Sequence, residues 1–313
     1  MPSCSLTRRR RIRIVFIRDH QKDESTVNIL NALRTAATAL APVPDGSPQL
    51  EAELLLTEAT GWARTTLRAW PERELDSAAV ARFEILLARR RSGEPIAYIR
   101  GRQAFWTLEL QVSPATLIPR PETEQLVEIA LQLLAPEAML QLADLGTGSG
   151  AIAAALASER RCWQLFAIDR SPAALALAVE NFRALKLRNV AALRGDWLRG
   201  LATASLDAVV SNPPYIPIAD PHLVRGDLRF EPATALAAGD DGLTAIRAIL
   251  REVGRCVRHG GLIIMEHGFN QGAAVRQLFT AHELQRIETH RDLNGLERVT
   301  LGYRPRANSR SNS

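Results

Sequence analysis

The residues of this chain that carry the most chemical information are Asn212-Pro213-Pro214-Tyr215, which follow an apolar run at 206–210 that predicts a buried parallel strand. Neither proline can donate a backbone hydrogen bond, so we expect the carbonyl groups of Asn212 and Pro213 to be available to a ligand. The Asn212 side chain adds a further acceptor, and Tyr215 adds a flat apolar wall. Such a cluster suits a planar NH2 group, although an ordinary proline turn capped by asparagine would have the same sequence.

A glycine-rich loop joins an apolar segment at 140–145 to a helical run at 151–157. Gly146, Gly148 and Gly150 would let the backbone approach a ligand closely, and the helix start supplies unpaired N–H groups. A dinucleotide loop has the spacing G-x-G-x-x-G, whereas the spacing here is G-x-G-x-G. This spacing favours S-adenosylmethionine over a nicotinamide dinucleotide.

Asp169 closes the next apolar run, 23 residues after Gly146, where a carboxylate can bind ribose hydroxyls. A glycine loop alone is weak evidence for any ligand. The loop, Asp169 and the downstream Asn-Pro-Pro-Tyr, in that order, predict a methyltransferase that acts on an amino group.

The composition is that of a globular protein with room for two domains, since 46% of the 313 residues are hydrophobic. No segment approaches the ~20 apolar residues of a membrane span. The cysteines, Cys4, Cys162 and Cys256, are far apart, and no histidine lies at metal-ligand spacing from them. We therefore expect a cytoplasmic protein without a disulfide framework and without a metal.

The basic charge is concentrated at the start of the chain. Lys and Arg number 39 against 34 Asp and Glu, and residues 1–20 hold six arginines and one acid. The remainder balances at 33 basic and 33 acidic residues, which weakens the case for a protein that follows a nucleic-acid backbone. We expect residues 1–26 to form a disordered basic extension, with a downstream start near Val27 as a hypothesis, and residues 305–313 to form a disordered tail.

Three further segments are predicted from hydrophobic periodicity. Residues 27–93 have helical spacing and predict a small helical domain, in which Ser47-Pro48 begins one helix. Residues 94–118 show partial alternation and predict a β-hairpin linker. Residues 119–304 are predicted to form the catalytic domain.

Within the catalytic domain, strands and helices alternate, with strands at 140–145, 164–168, 190–194, 206–211, 261–266, 284–289 and 297–302. This alternation predicts an α/β fold with a doubly wound, seven-stranded, Rossmann-like sheet, whose ligand lies at the carboxyl ends of the strands. Residues 216–242 are too many for a routine connection and are interpreted as a substrate-facing loop.

With these motifs in view, the chain resembles the HemK family, and within it the peptide chain release factor glutamine methyltransferases. The resemblance covers about residues 27–303. The segments that carry it are Ile118-Pro119-Arg120-Pro121-Glu122-Thr123-Glu124, Asp144-Leu145-Gly146-Thr147-Gly148-Ser149-Gly150, Ser211-Asn212-Pro213-Pro214-Tyr215-Ile216, Arg229-Phe230-Glu231-Pro232 and Glu266-His267-Gly268.

The resemblance implies methylation of the side-chain amide nitrogen of the glutamine in the Gly-Gly-Gln motif of class 1 release factors, with S-adenosylmethionine as methyl donor. It implies that the donor is held by Gly146, Thr147, Gly148, Ser149, Gly150, Asp169, Trp197 and Asn212. Trp197 would pack at the adenine, and Asn212-Pro213-Pro214-Tyr215 would bind the glutamine, with Asn212 and Pro213 as catalytic groups. The helical domain and residues 216–242 would hold the rest of the release factor, and we expect a monomer that contacts neither nucleic acid nor membrane.

Several of these residues also have plain structural interpretations. Trp197 could be a core residue, and Asp196 could cap a strand end. Arg120 and Glu124 could form a buried ion pair that holds the hairpin, and His267 is interpreted as a hydrogen-bonded structural histidine.

Four other functions compete with this assignment. A glutamine methyltransferase of a large-subunit ribosomal protein shares Asn-Pro-Pro-Tyr, but Pro121-Glu122-Thr123-Glu124 is typical of the release-factor branch. An adenine-N6 methyltransferase would also bind a planar NH2 group, after flipping the base, but no target-reading domain is evident. A nicotinamide-dependent oxidoreductase is disfavoured by the short glycine loop, and a non-catalytic binding protein has no use for Asn212.

Overall fold

A computed structural model describes residues 27–44 and 46–307. The predicted extension at 1–26 and residues 308–313 of the predicted tail lie outside the described residues. Contacts divide the described chain into two units. The first contains residues 27–41 and 47–87, and the second contains residues 42–44, 46 and 88–307.

The first unit is helical, as its sequence predicts. Its helices are α1 (Ile29–Leu40), α2 (Pro48–Thr60), α3 (Arg64–Ala69) and α4 (Ser77–Arg91), of which α4 ends in the second unit. The Asn28 side chain caps α1 by accepting from the Asn31 N–H, and Pro48 is the first residue of α2. The core of this unit is aliphatic, with Phe83 as its aromatic residue.

The predicted β-hairpin is present in the second unit, where it follows the short helix α5 (Ile96–Arg100). It consists of β1 (Arg102–Phe105) and β2 (Leu108–Gln111), paired antiparallel. Phe105 and Leu110 are buried against the core of the second unit. The hairpin therefore packs as part of the second unit.

The rest of the second unit is an α/β fold with the predicted seven-stranded sheet. Its strands are β3 (Gln141–Leu145), β4 (Gln164–Asp169), β5 (Val190–Arg194), β6 (Leu206–Ser211), β7 (Val257–Glu266), β8 (Gln285–Arg291) and β9 (Glu297–Tyr303). The strand order is β5-β4-β3-β6-β7-β9-β8, and only the pairs that involve β9 are antiparallel. This arrangement confirms the doubly wound, Rossmann-like prediction.

Helices cover both faces of the sheet. The helices are α6 (Glu124–Leu133), α7 (Ala151–Glu159), α8 (Pro172–Ala184), α9 (Ala233–Leu236), α10 (Thr244–Cys256) and α11 (Gly272–Ala281). Helices α6, α7 and α8 bury their apolar residues on one face, together with Leu142 and Val210. Helices α10 and α11 do so on the other face, together with Ala143 and Val209. Successive residues of one strand thus enter opposite cores, because side chains alternate along a strand.

The strand order places a crevice beside β3. Since β4 lies on one side of β3 and β6 on the other, the chain reverses its winding direction there, and ligands of such sheets bind at this point. In the parallel register, Leu145 at the end of β3 pairs with Ser211 at the end of β6. Gly146 and Asn212, the next residues of each strand, therefore meet at one edge of the sheet.

One strand boundary differs from the prediction by more than two residues. Strand β7 begins at Val257, four residues before the predicted start at 261, and its pairing with β6 shifts register between Leu206 and Ala208. The dipeptide Gly260-Gly261 resembles a turn in sequence, but here it continues the strand beyond an irregularity. Within the part of the chain that the structure describes, no helix has the length and apolar character needed to cross a membrane.

Candidate active site

A cavity of about 480 Å³ opens at the carboxyl ends of the central parallel strands. Gly146 and Gly148 follow β3, Asp169 ends β4, and Asn212 and Pro214 follow β6; all five residues line the cavity. The structure thus brings together the two groups of residues that the sequence singles out, although more than 60 residues separate them along the chain.

The loop between β3 and α7 requires glycine at two positions. Gly146 has φ +71°, and a Cβ at that position would lie 3.2 Å from the Trp197 ring. Gly150 is the N-cap of α7 with φ +83°, and a Cβ there would lie 2.6 Å from the Phe182 ring. Residues with a side chain rarely adopt this backbone. A Cβ at Gly146 would also require the Trp197 ring to shift, and Gly150 has no room for one. Gly150 does not line the cavity and instead lets the start of α7 pack closely against α8.

Thr147 and Ser149 are buried and do not line the cavity. Thr147 Oγ1 donates to Asp144 Oδ2 at 2.6 Å, and the Ser149 carbonyl accepts from Asn181 Nδ2 at 2.9 Å. Both residues therefore fix the shape of the loop. Their predicted contact with a ligand stays a prediction.

Asp144 is a fully buried carboxyl group below this loop. Its Oδ2 also accepts from the Ala153 N–H at 3.1 Å, while its Oδ1 has no hydrogen-bond partner among the described residues. Burial raises the pKa of Asp144 to about 7, and the nearby carboxylate of Asp169 acts in the same direction. The hydrogen bonds from Thr147 and Ala153 offset only part of this effect.

Asp169 lies at the end of β4 and is half-buried. Its Oδ2 accepts from the Gly148 N–H at 3.0 Å, and its Oδ1 accepts from the Ser171 N–H at 2.9 Å. Because each carboxylate oxygen has a second lone pair, both can still accept a hydrogen bond from a ligand in the cavity. Asp169 is thus oriented by the backbone and open to a diol.

Trp197 follows β5 and is half-buried on the cavity wall. Its ring lies over Gly146 and also packs against the apolar cluster on the α10 face. The Trp197 ring therefore contacts both the core and the cavity, so its position is compatible with both interpretations of this residue from the sequence.

Asn212 has an oriented side chain. Its Nδ2 donates to Thr123 Oγ1 at 3.0 Å. Its Oδ1 is buried, and no described residue donates a hydrogen bond to it. A buried acceptor without a partner costs free energy, so this oxygen is available to a further hydrogen-bond donor.

Glu266, at the end of β7, connects Asn212 to Tyr215 through a buried network. Its Oε2 accepts from Thr123 Oγ1 at 2.7 Å, and its Oε1 accepts from the Tyr215 hydroxyl at 3.2 Å. Glu266 is 2% exposed, and burial raises its pKa to about 7. Burial and the adjacent Glu266 also raise the pKa of the Tyr215 phenol.

Residues 216–242 are anchored at their centre by a third buried carboxyl group. Glu231 accepts from the Ile118 N–H at 2.9 Å and forms an ion pair with Arg120. Burial raises the pKa of Glu231, although Arg120 opposes this shift. These contacts tie the centre of the segment to the residues that precede α6.

The predicted ion pair between Arg120 and Glu124 is wrong. Arg120 has extended backbone angles, and residues Pro121–Thr123 form a 3-10 turn before α6 begins at Glu124. The two side chains are therefore not one helical turn apart. Glu124 does hold the hairpin, as predicted, but through its Oε1, which accepts from the Trp106 N–H at 2.7 Å.

The ends of the same segment are held together by Gln271. Its Nε2 donates to the Tyr215 carbonyl at 2.9 Å and to the Asp241 carbonyl at 3.2 Å. The chain ends approach so closely that a Cβ at Gly242 would lie 2.2 Å from the Tyr215 carbonyl oxygen. Residues 216–242 therefore leave and re-enter the fold at one place.

His267 is structural, as predicted. It is fully buried, with Nδ1 at 2.9 Å from the Gly268 carbonyl and Nε2 at 2.8 Å from Thr300 Oγ1. Burial lowers its pKa. Among residues 27–44 and 46–307, no group of three His, Cys, Asp or Glu side chains is placed to hold a metal ion.

Comparison with known proteins identifies the family. Residues 31–101 match a model of the PrmC N-terminal domain, and residues 124–222 match a model of the methyltransferase small domain. A release factor glutamine methyltransferase of Pseudomonas aeruginosa is 52% identical over 261 residues, which are 83% of this chain and 94% of the relative. This chain belongs to the release factor glutamine methyltransferase family.

Other members of the family agree. The Escherichia coli K12 relative is 49% identical over 82% of this chain and 92% of its own length. The Vibrio cholerae relative is 46% identical over 88% of this chain and 97% of its own length. A member of this family is an S-adenosylmethionine-dependent protein-glutamine methyltransferase, and S-adenosylmethionine is its methyl donor.

The residues present fit such a donor, because the cavity offers a glycine loop, a carboxylate and an aromatic wall on one side and an unpaired Asn212 oxygen on the other. Three residues of this site were not identified from the sequence: Thr123, Glu266 and Gln271. Thr123 lies within the motif at 118–124, and Glu266 ends a predicted strand, so a search of all strand ends could have found Glu266.

Proposed function

We propose that this chain methylates the side-chain amide nitrogen of the glutamine in the Gly-Gly-Gln motif of class 1 release factors, and that the acceptor amide binds at Asn212-Pro213-Pro214-Tyr215. The observation that supports this site most directly is the buried Asn212 Oδ1 without a partner among the described residues. A carboxamide NH2 group donates two hydrogen bonds, and this oxygen supplies one of the two acceptors that it needs.

The chemistry of an amide explains why two acceptors are useful. The lone pair of an amide nitrogen is delocalised into its carbonyl group, which makes the nitrogen a poor nucleophile. Asn212 Oδ1 and the Pro213 carbonyl would hold both N–H bonds and direct the lone pair towards the donor side of the cavity. Bound S-adenosylmethionine supplies an electrophilic methyl group on a sulfonium. Positioning and preorganised polar groups can then account for much of the rate.

We further propose that the donor lies against the loop at Gly146–Gly150, with Asp169 on the ribose hydroxyls, Trp197 on the adenine and Asn212 between the two ligands. The backbone contacts of Asp169 and the wall position of Trp197 support this arrangement. Tyr215 would form a wall for the glutamine side chain, since Glu266 holds its hydroxyl.

The remaining proposals concern organisation. We propose a substrate-binding helical domain at 27–93, a hairpin linker at 94–118 and a catalytic domain at 119–304, acting as a monomer in the cytoplasm without direct contact to nucleic acid. The balanced charge of residues 21–313 supports the last point.

Mass spectrometry of intact substrates tests the proposal. We expect an unmodified class 1 release factor incubated with the enzyme and S-adenosylmethionine to gain one methyl group. The Gln→Glu variant of its Gly-Gly-Gln motif should gain none, and a short peptide should be a much poorer substrate, because remote contacts contribute binding energy. Transfer to the Gln→Glu factor, or to DNA but not to the factor, would refute the assignment.

A further inference from the structure

The Asn212 amide is held by a chain of two hydrogen bonds that ends at a buried carboxyl group. Asn212 Nδ2 donates to Thr123 Oγ1 at 3.0 Å, and Thr123 Oγ1 donates to Glu266 Oε2 at 2.7 Å. The three residues come from separate elements: Thr123 precedes α6, Asn212 follows β6 and Glu266 ends β7. Thr123 and Glu266 are only 4% and 2% exposed, so water does not compete for these bonds.

The direction of each bond follows from the chemistry of the carboxylate. Above its pKa of about 7, Glu266 is an ionised carboxylate that only accepts hydrogen bonds, and a threonine hydroxyl has one proton and two lone pairs. The Thr123 proton is therefore committed to Glu266, and Thr123 can offer only a lone pair to Asn212. An amide that faces a lone pair presents its NH2 group, so the Asn212 oxygen must lie on the opposite side.

Shape alone cannot impose this orientation. The oxygen and NH2 ends of an asparagine amide are nearly the same size, and only hydrogen bonds distinguish them. If the Thr123 proton were free, it could donate to Asn212 and stabilise the flipped amide. The flipped amide would present two N–H donors to the substrate NH2 group, which also consists of donors.

We infer that Thr123 and Glu266 are positioning residues that select the orientation of the Asn212 amide in which its oxygen faces the acceptor glutamine. This inference rests on the proposed function, because it assigns Asn212 Oδ1 to the substrate amide. Tyr215 completes the arrangement, because its hydroxyl donates to Oε1 of Glu266. Each oxygen of the Glu266 carboxylate therefore accepts one hydrogen bond.

The central test replaces Thr123 by valine, which has a similar shape and no hydroxyl group. We expect kcat/KM for the intact release factor to fall by roughly tenfold to a hundredfold. This is at or below the lower end of the range of about a hundredfold to a thousandfold for loss of one preorganised polar group at the reacting centre, because Thr123 acts through Asn212. Affinity for S-adenosylmethionine, measured by calorimetry, should change by less than about threefold. Thr123→Ser restores the hydroxyl group and should return kcat/KM to within about threefold of wild type.

A matched control separates positioning from stability. Thr300 is also a fully buried threonine, and its hydroxyl bonds to His267, the residue that follows β7, but Thr300 lies outside the site. Thr300→Val should lower the melting temperature and leave kcat/KM unchanged. A fall in kcat/KM for Thr300→Val as large as that for Thr123→Val would show that the effect is structural and would overturn the inference.

A double-mutant cycle with Asn212→Ala identifies the residue through which Thr123 acts. Once Asn212 has no amide, Thr123→Val should reduce kcat/KM no further, whereas a separate structural effect would add in full. If Thr123→Val folds poorly, Glu266→Gln provides a second variant. A glutamine at this position can accept from or donate to Thr123, so the Thr123 proton is no longer restricted to residue 266. We expect Glu266→Gln to lower kcat/KM in the wild-type background and to leave it unchanged in the Asn212→Ala background.

The outcomes distinguish the two proposals. If Asn212→Ala keeps near-normal turnover, the proposed acceptor site is wrong. If Asn212→Ala is impaired while folded Thr123→Val and Glu266→Gln are as active as wild type, the acceptor site stands and the positioning inference fails.

Discussion

The two sides of the cavity are built in different ways. On the side proposed to bind the methyl donor, backbone geometry dominates: the path of the loop depends on Gly146 and Gly150, and Asp169 is oriented by backbone N–H groups. On the side proposed to bind the acceptor amide, side chains dominate, since Asn212 is oriented by Thr123, which is in turn held by Glu266. The donor side is thus encoded within short stretches of sequence, whereas the acceptor side depends on the tertiary fold.

The first way to sharpen this comparison is to remove the acceptor amide. Asn212→Ala should reduce turnover about a hundredfold or more, because it deletes a preorganised polar group at the reacting centre. Affinity for S-adenosylmethionine should fall much less. Steady-state kinetics with an intact release factor, together with calorimetry, check both statements, and near-normal turnover would contradict the role given to this side of the cavity.

Asp169→Ala should show the opposite pattern. Loss of a charged hydrogen-bond acceptor costs about 1.5–3 kcal/mol, which corresponds to roughly a tenfold to a hundredfold weaker Kd for S-adenosylmethionine. At saturating donor, kcat should change less than Kd does. An unchanged Kd by calorimetry would mean that the ribose lies elsewhere.

Gly150→Ala tests whether backbone geometry carries the donor side. The added Cβ would collide with Phe182 at 2.6 Å, and we expect the collision to destabilise the fold by about 1–3 kcal/mol. Gly200→Ala is the control, because Gly200 has φ +86° and open space around a Cβ. The two variants share the backbone cost, so equal losses of stability in chemical denaturation would rule out the collision.

The smallest expected effect concerns pH, and it applies to both sides. Asp144 and Glu266 each have a pKa raised by burial to about 7, from ordinary values of 3.8 and 4.5. Between these values the folded protein retains protons that the unfolded chain has released, so the free energy of unfolding falls as pH rises from about 4 to about 7.

Asp144→Asn removes one of these titrations. In the absence of donor, the melting temperature of Asp144→Asn relative to wild type should therefore increase from pH 5 to pH 8. The increase should correspond to on the order of 1 kcal/mol or more, since one pKa unit is about 1.4 kcal/mol. A constant difference between the two proteins across this range would show that Asp144 ionises normally in the fold.

The difference between the two sides also explains what could be predicted from the sequence. The glycine loop, Asp169 and Asn212 were found because each follows a recognisable strand, and the parallel sheet brings strand ends together. Thr123 and Glu266 were not assigned a role, because their contact depends on the start of α6 lying beside the end of β7, which hydrophobic periodicity does not specify. Arg120 was given the wrong partner for a related reason: its contact with Glu231 spans 111 residues, whereas sequence reasoning favours neighbours.

The two hydrogen bonds of Gln271 affect which changes of sequence this enzyme can tolerate. Because Gln271 joins the Tyr215 and Asp241 carbonyl groups, residues 216–242 form a closed excursion whose ends are fixed by the fold rather than by the loop itself. The entropy of closing such a loop depends only weakly on length, about 0.6 kcal/mol for each doubling. Insertions or deletions near residues 218–226, away from the Glu231 anchor, should therefore change the free energy of unfolding only slightly and leave Asn212 in place. The surface that we propose to face the protein substrate can thus change in evolution without a change at Asn212.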